Sequence, residues 1–145
     1  MPGIALATEA DLAALVALDT IAARSPERRE AIAEWIGLGQ CHVARLDTRA
    51  AGYVALTRSF FRSPFIEMLM IADWARRRGI GRALVAHCIA LTPSGDKLWT
   101  STNLSNTPMQ ALLPQLGFIR TGQFEHLDPG DPELIYLHWS GLEGT

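Results

Sequence analysis

The segment from Phe65 to Leu91 constrains the fold of this 145-residue chain more than any other. "FIEMLMI", Phe65 to Ile71, is a β-rich run with no breaker inside it. Shortly afterwards Ile80, Leu84, Cys88 and Leu91 take up helical spacing, so a helix is expected from Gly79 to Leu91. Between them stands "RRRGIGR", Arg76 to Arg82. A strand must therefore turn into a helix at Gly79 and Gly81, where the missing Cβ permits a tight turn and lets a ligand approach the amides. The first N–H groups of a helix have no intrahelical acceptor and present a partial charge of about +0.5. Arg76, Arg77, Arg78 and Arg82 add full charges at the same place. A diphosphate suits such a turn, each ionic contact contributing roughly 0.3 to 1 kcal/mol. The plainer alternative is a solvated basic turn that closes a tight loop.

The rest of the chain supplies the layers around this unit. Ile4 to Leu6 reads as a short strand, and Thr8 with Asp11 opens a helix that carries Leu12, Leu15, Val16 and Ile21. Ser25 and Pro26 open a second helix, with Gly37 beyond its end. The period then changes to two. "CHVARLD" and "AGYVALTRSF" read as a hairpin, "KLWTST" as a strand, Asn106 to Leu116 as a short helix, and "FIRTGQFEH" and "ELIYLHW" as closing strands around "LDPGDP". This order predicts an α/β fold of the mixed (α+β) kind, a sheet covered by helices. One domain over residues 1–145 is expected, since the length fits a single core and no repeat or linker interrupts it.

Composition excludes several function classes. A formal charge of -2 predicts no general affinity for nucleic acid. The N-terminal stretch has no basic region, and Glu9, Asp11 and Asp19 interrupt its apolar residues, so no export signal, membrane span or membrane partner is expected and the location is read as cytoplasmic. Cys41 and Cys88 form no CxxC and read as core packing. His42, His87, His126 and His138 lie on four elements without metal-ligand spacing, so they read as structural or surface residues and no metal is expected. Trp35, Trp74, Trp99 and Trp139 read as core or rim packing.

Two phosphate motifs fail at the basic turn. No Gly-Lys pair exists for a P-loop, and Leu84 stands where the dinucleotide fingerprint needs its third glycine. "ARRRGIGRALV" instead resembles the Q/R-x-x-G-x-G/A signature of the GNAT family of N-acetyltransferases, with Arg76, Gly79 and Gly81 in the signature positions. "FIEMLMIADWA" is similar to that family's fourth strand, and "NTPMQALLPQLGF" to its N-x-x-A-x-x-x-Y-x-x-x-G-F segment, with Asn106, Gly117 and Phe118 in register. The resemblance implies the acyl-CoA N-acyltransferase fold: a central, mostly antiparallel sheet with one splayed parallel strand pair, here "FIEMLMI" and "KLWTST", flanked by helices. It implies acetyl-CoA as cosubstrate, its pyrophosphate on the amides of Arg77, Arg78, Gly79, Ile80, Gly81 and Arg82 beside Arg76. Its pantetheine amides would lie along Leu69, Met70 and Ile71, where splaying leaves unpaired backbone groups. Asn106 is expected to cap its helix and touch the pantetheine.

Acetyl transfer to an amine needs a neutral nucleophile, an oxyanion donor and a proton for the leaving thiolate. A lysine-like amine is about 3.4 units from neutral at pH 7, a cost of roughly 4.6 kcal/mol, whereas an α-amine costs only about 1. Glu67, the acidic side chain inside the apolar strand, resembles the family's usual base position, and partial desolvation there would make it a better base. A solvent-facing glutamate is the alternative. The oxyanion donor is expected to be a backbone N–H near Leu69 to Ile71. Where the family often places a proton-donating tyrosine, this chain has Leu113, followed by Pro114, which should kink or end the helix. Ser105, Tyr136 or water would then protonate the thiolate, or it leaves unaided. The acidic loop Glu125, Asp128, Asp131 and Glu133 would suit a cationic acceptor, and equally reads as an ordinary turn. The implied partner is the amine of a small molecule, amino acid or peptide, and exposed strand edges would suit a homodimer. The competing expectation is an acyl-CoA-binding module of the same fold with weak or lost catalysis.

Overall fold

The structure, a computed structural model, describes residues 2–142. Its strands are β1 Gly3–Leu6, β2 Cys41–Leu46, β3 Arg49–Phe60, β4 Ser63–Ile71, β5 Leu98–Asn103, β6 Ile119–Phe124 and β7 Glu133–His138. Its helices are α1 Leu12–Leu18, α2 Pro26–Gly37, α3 Ile80–Leu91 and α4 Thr107–Gln115. Short 3-10 turns stand at Glu9–Asp11, Asp73–Ala75 and Ser140–Leu142. The strands form one mostly antiparallel sheet in the order β1-β2-β3-β4-β5-β7-β6, with β4 and β5 parallel. The expected mixed fold is therefore the observed one. Among the described residues no helix is long and apolar enough to cross a membrane.

The chain packs as two compact units, one from the segment ending at Leu56 together with Met68–His87, the other from Thr57–Glu67 together with the segment beginning at Cys88. In the first unit α1 and α2 bury Leu15, Ile32, Trp35 and Ile36 against Val43, Tyr53 and Ala55 of β2 and β3. Ser25 opens α2 by accepting from the Arg28 N–H at 3.2 Å, with Pro26 in the first turn. Two expected boundaries move. α1 stops at Leu18, short of Ile21, because the Asp19 carboxylate accepts from the N–H groups of Ile21 (2.9 Å) and Ala22 (3.1 Å) and so ends the helical ladder. Gly37 lies inside the last turn of α2, and the left-handed residue is Gly39, with φ 69°.

In the second unit β5, β7 and α4 bury Leu98, Leu113, Phe118 and Leu134, while every residue of the edge strand β6 is exposed. Asn106 caps α4 as expected, its Oδ1 accepting from the Met109 N–H at 3.3 Å. Pro114 occupies the last turn, and the chain leaves the helix through Gly117, φ 92°, with the Phe118 N–H donating to Leu113 O at 3.1 Å. The β4–β5 ladder pairs Phe65 with Trp99 and Ile66 with Thr100, both in the first half of β4. Cys41 and Cys88 are free and fully buried, and burial pushes both thiols up to about 12.

Candidate active site

After β4 the backbone is anchored by the Ala72 N–H donating to Ala51 O at 2.8 Å, and makes one 3-10 turn that buries Ala75 completely. Gly52 is required beside this anchor: a Cβ there would meet Met70 O at 2.8 Å, so only glycine lets β3 close on the end of β4. The chain then emerges, and Arg76, Arg77, Arg78 and Gly79 are all exposed.

Two of those residues are left-handed, Arg77 at φ 66° and Gly79 at φ 76°. The conformation costs a non-glycine residue about 1 to 2 kcal/mol, and strain of this kind gathers at ligand clamps. A Cβ at Gly79 would meet nothing within 4 Å, so the demand for glycine there is conformational rather than steric. The first bond of α3 runs from the Ala83 N–H to Gly79 O at 3.0 Å, leaving the N–H groups of Ile80 and Gly81 ahead of the helical ladder. Among the described residues no backbone carbonyl accepts from the N–H of Arg77, Arg78 or Gly79. Gly81 itself lies in the first turn of α3, next to exposed Arg82.

Arg76 Nε lies 3.2 Å from Asp73 Oδ1 in a solvent-exposed pair worth little. Arg49, which no motif singles out, stacks 4.0 Å from the Trp74 ring centroid, and Arg78 approaches the same ring at 5.9 Å. Leu69, Met70 and Ile71 close β4 in half-buried positions, with Met70 packed on the core of the first unit.

Glu67 belongs to the second unit and departs from expectation. It is exposed, not desolvated, and its Oε1 accepts from Ser59 Oγ at 2.7 Å and Thr57 Oγ1 at 3.0 Å. Two hydroxyl donors on one oxygen fix the carboxylate in place without removing it from water. Leu113, where a tyrosine was looked for, is fully buried. Ser105 is already committed, its Oγ donating to Asp131 Oδ2 at 2.6 Å and its N–H to Asp131 Oδ1 at 3.0 Å. Tyr136 is buried in β7. Asp128 accepts from Asn103 Nδ2 at 2.9 Å, so two of the four loop carboxylates hold the loop to its own unit. His42 and His87, read apart in the sequence, meet with Nδ1 and Nε2 at 3.2 Å.

Residues 10–118 match the model of the Acetyltransferase (GNAT) family. The chain belongs to that family. A crystal structure of a GNAT-family acetyltransferase from Bacillus cereus ATCC 10987 superposes with a TM-score of 0.88 at 32% identity, over 96% of this chain and 97% of the other. The ribosomal-protein-alanine N-acetyltransferase of Brucella melitensis shares the fold, with a TM-score of 0.74, 24% identity and 94% and 99% of the two chains covered. An acetyltransferase from Bacillus anthracis str. Ames, solved in complex with acetyl coenzyme A, superposes with a TM-score of 0.57 at 17% identity, over 68% of this chain and 61% of its own. No curated protein matches the sequence.

Proposed function

We propose that this chain transfers the acetyl group of acetyl-CoA to the primary amine of a small molecule, amino acid or peptide, by direct attack and in the cytoplasm. The observation that carries the proposal is the turn Arg76 to Arg82: exposed from Arg76 to Gly79, twice left-handed, and with the amides of Arg77, Arg78 and Gly79 bonded to no backbone carbonyl among the described residues. Those amides, with Ile80, Gly81, Arg82 and the guanidinium of Arg76, are the donors a pyrophosphate needs. Leu69, Met70 and Ile71 supply backbone groups for the pantetheine and one N–H for the developing oxyanion. Asn106 is assigned to the same cofactor through its helix end.

In the reaction the amine nitrogen attacks the thioester carbonyl, a C–N bond forms, and the C–S bond breaks. The amine gives its proton to Glu67, directly or through one water, and the thiolate takes a proton from water. Glu67 is held by Ser59 and Thr57 in an orientation suited to that role, and its exposure favours acceptors whose amine is easily neutral, such as an α-amine. A thiol of pKa ~8.5 leaves without a side-chain acid.

A second reading, an acyl-CoA-binding module with little catalysis, draws on Leu113 in the core and the Ser105 hydroxyl held by Asp131. Glu67→Gln separates the two. For an enzyme we expect thiol release to fall by roughly 10²- to 10⁴-fold with the affinity for acetyl-CoA retained. No turnover by the parent chain with any amine, despite cofactor binding, would favour the module.

A further inference from the structure

We infer that the acceptor amine carries an aromatic or branched aliphatic group, and that this group seats in a cavity of about 410 Å³ on the second unit, walled by Phe60, Phe61, Trp99, Phe124 and Ile135. The inference rests on the acetyl transfer proposed at Glu67. The cavity lies in the size range of small-ligand pockets, which are apolar with few polar groups. Phe60 and Trp99 build its floor. Phe60 stacks on Phe65 at 5.2 Å between centroids and meets Trp99 at 5.2 Å. Phe61 then stands edge-on to Phe60 at 5.0 Å, 84% exposed.

That exposed ring is held out on purpose of geometry, not of packing. Phe61 and Arg62 form the β3–β4 turn with φ 52° and 63°, a left-handed pair for which Asn-Gly is the common solution. Arg58 Nη2 pins the turn by donating to Arg62 O at 2.7 Å. Phe124, 44% exposed on β6, presents a second ring from the other side. Two large apolar faces left to water around one recess are the signature of a surface that gains by being covered.

The occupant is an amine because the same segments that build the floor also hold the carboxylate. Glu67 accepts from Ser59, the neighbour of Phe60, and stands two residues after Phe65, which stacks on Phe60. The carboxylate proposed as base is thus held by the strand that carries Phe60 into the cavity wall. Of the charged groups tied to the lining, Arg58 is engaged with Arg62 O, and Arg120 with Gln123, itself hydrogen-bonded to Glu125.

The test compares 2-phenylethylamine with ethylamine and ethanolamine in an acetyl-CoA thiol-release assay, alongside calorimetric binding of 2-phenylethylamine. We expect kcat/KM to favour the ring amine by roughly 10- to 100-fold, chiefly through KM, since a buried aromatic side chain contributes on that scale. Phe61→Ser and Phe124→Ser, both at exposed positions and so tolerated by the fold, should each collapse that ratio while the rise in melting temperature on adding acetyl-CoA persists. A ratio near one, or a ratio untouched by both variants, overturns the inference and leaves acetyl transfer standing. Saturable ring binding that both variants abolish, without turnover of any amine, supports the pocket and removes the acetyl-transfer reading. A dimer in sedimentation that the variants dissociate without changing the ratio overturns the inference by assigning the recess to a second copy.

Discussion

Asp19 is where the first unit concentrates its polar interactions. Its fully buried side chain accepts from Tyr53 Oη at 2.6 Å and Arg28 Nη1 at 2.9 Å, as well as from two backbone N–H groups. Burial pushes its carboxyl upward, but the bonds from Tyr53, Arg28 and Ala22 outweigh burial and leave it below the usual carboxylate value. A depressed folded value means stability that is present above the unfolded value of about 3.9 and is lost as pH falls below it. Replacing Asp19 by Ala should cost about 3 kcal/mol in urea denaturation, because it strands a part-buried guanidinium and a buried hydroxyl. Nothing local announced this: Arg28 is nine residues away and Tyr53 thirty-four, so the sequence showed only a charge interrupting an apolar run. Gly79 is the opposite case, legible from the start, since a glycine between a strand and a helix has few other uses. Gly79→Ala at φ 76° should strain the turn by about 1 to 2 kcal/mol and weaken acetyl-CoA binding by roughly tenfold, as read by titration calorimetry. Glu67 was legible as an acid inside an apolar strand, whereas its exposure and its hydroxyl partners on β3 depended on a hairpin register that spacing does not reveal.

Elements were legible wherever periodicity and caps agreed. α2, α3 and α4 start where Ser25, the glycine turn and Asn106 said they would, and the errors fall at ends decided by tertiary bonds, as at Asp19. The contact between β2 and α3 carries a titratable pair that spacing could not foresee. Burial lowers both His42 and His87 from the ordinary histidine value, and for His42 the neighbouring His87 lowers it further. The fold therefore favours the neutral pair. Its contribution to stability is complete above about pH 6.5 and is lost as pH falls through that value toward the lower folded ones. Melting temperature should accordingly drop between pH 7 and 5, and His42→Gln should flatten that part of the profile; an unchanged slope would mean the pair does not titrate with folding.

At the scale of the molecule, the order of strands and helices was enough to give a mixed sheet, and three short blocks of residues were enough to give the family. The placement of β7 between β5 and β6 was not legible, because pairing partners far apart in sequence are chosen by the whole sheet rather than by any one strand. The recess proposed for the acceptor was not legible either, because the rings that wall it come from β3, β5, β6 and the β3–β4 turn and meet only in three dimensions. What unites these features in the proposed function is a diphosphate held by the amides and arginines of one turn. Calorimetric titration with acetyl-CoA and with acetyl-pantetheine, which lacks the diphosphate, tests that claim most directly. The account predicts that acetyl-CoA binds roughly 100-fold more tightly, that added salt narrows the gap, and that Gly79→Ala narrows it further. Equal affinity for the two ligands, or no heat from either, would contradict it.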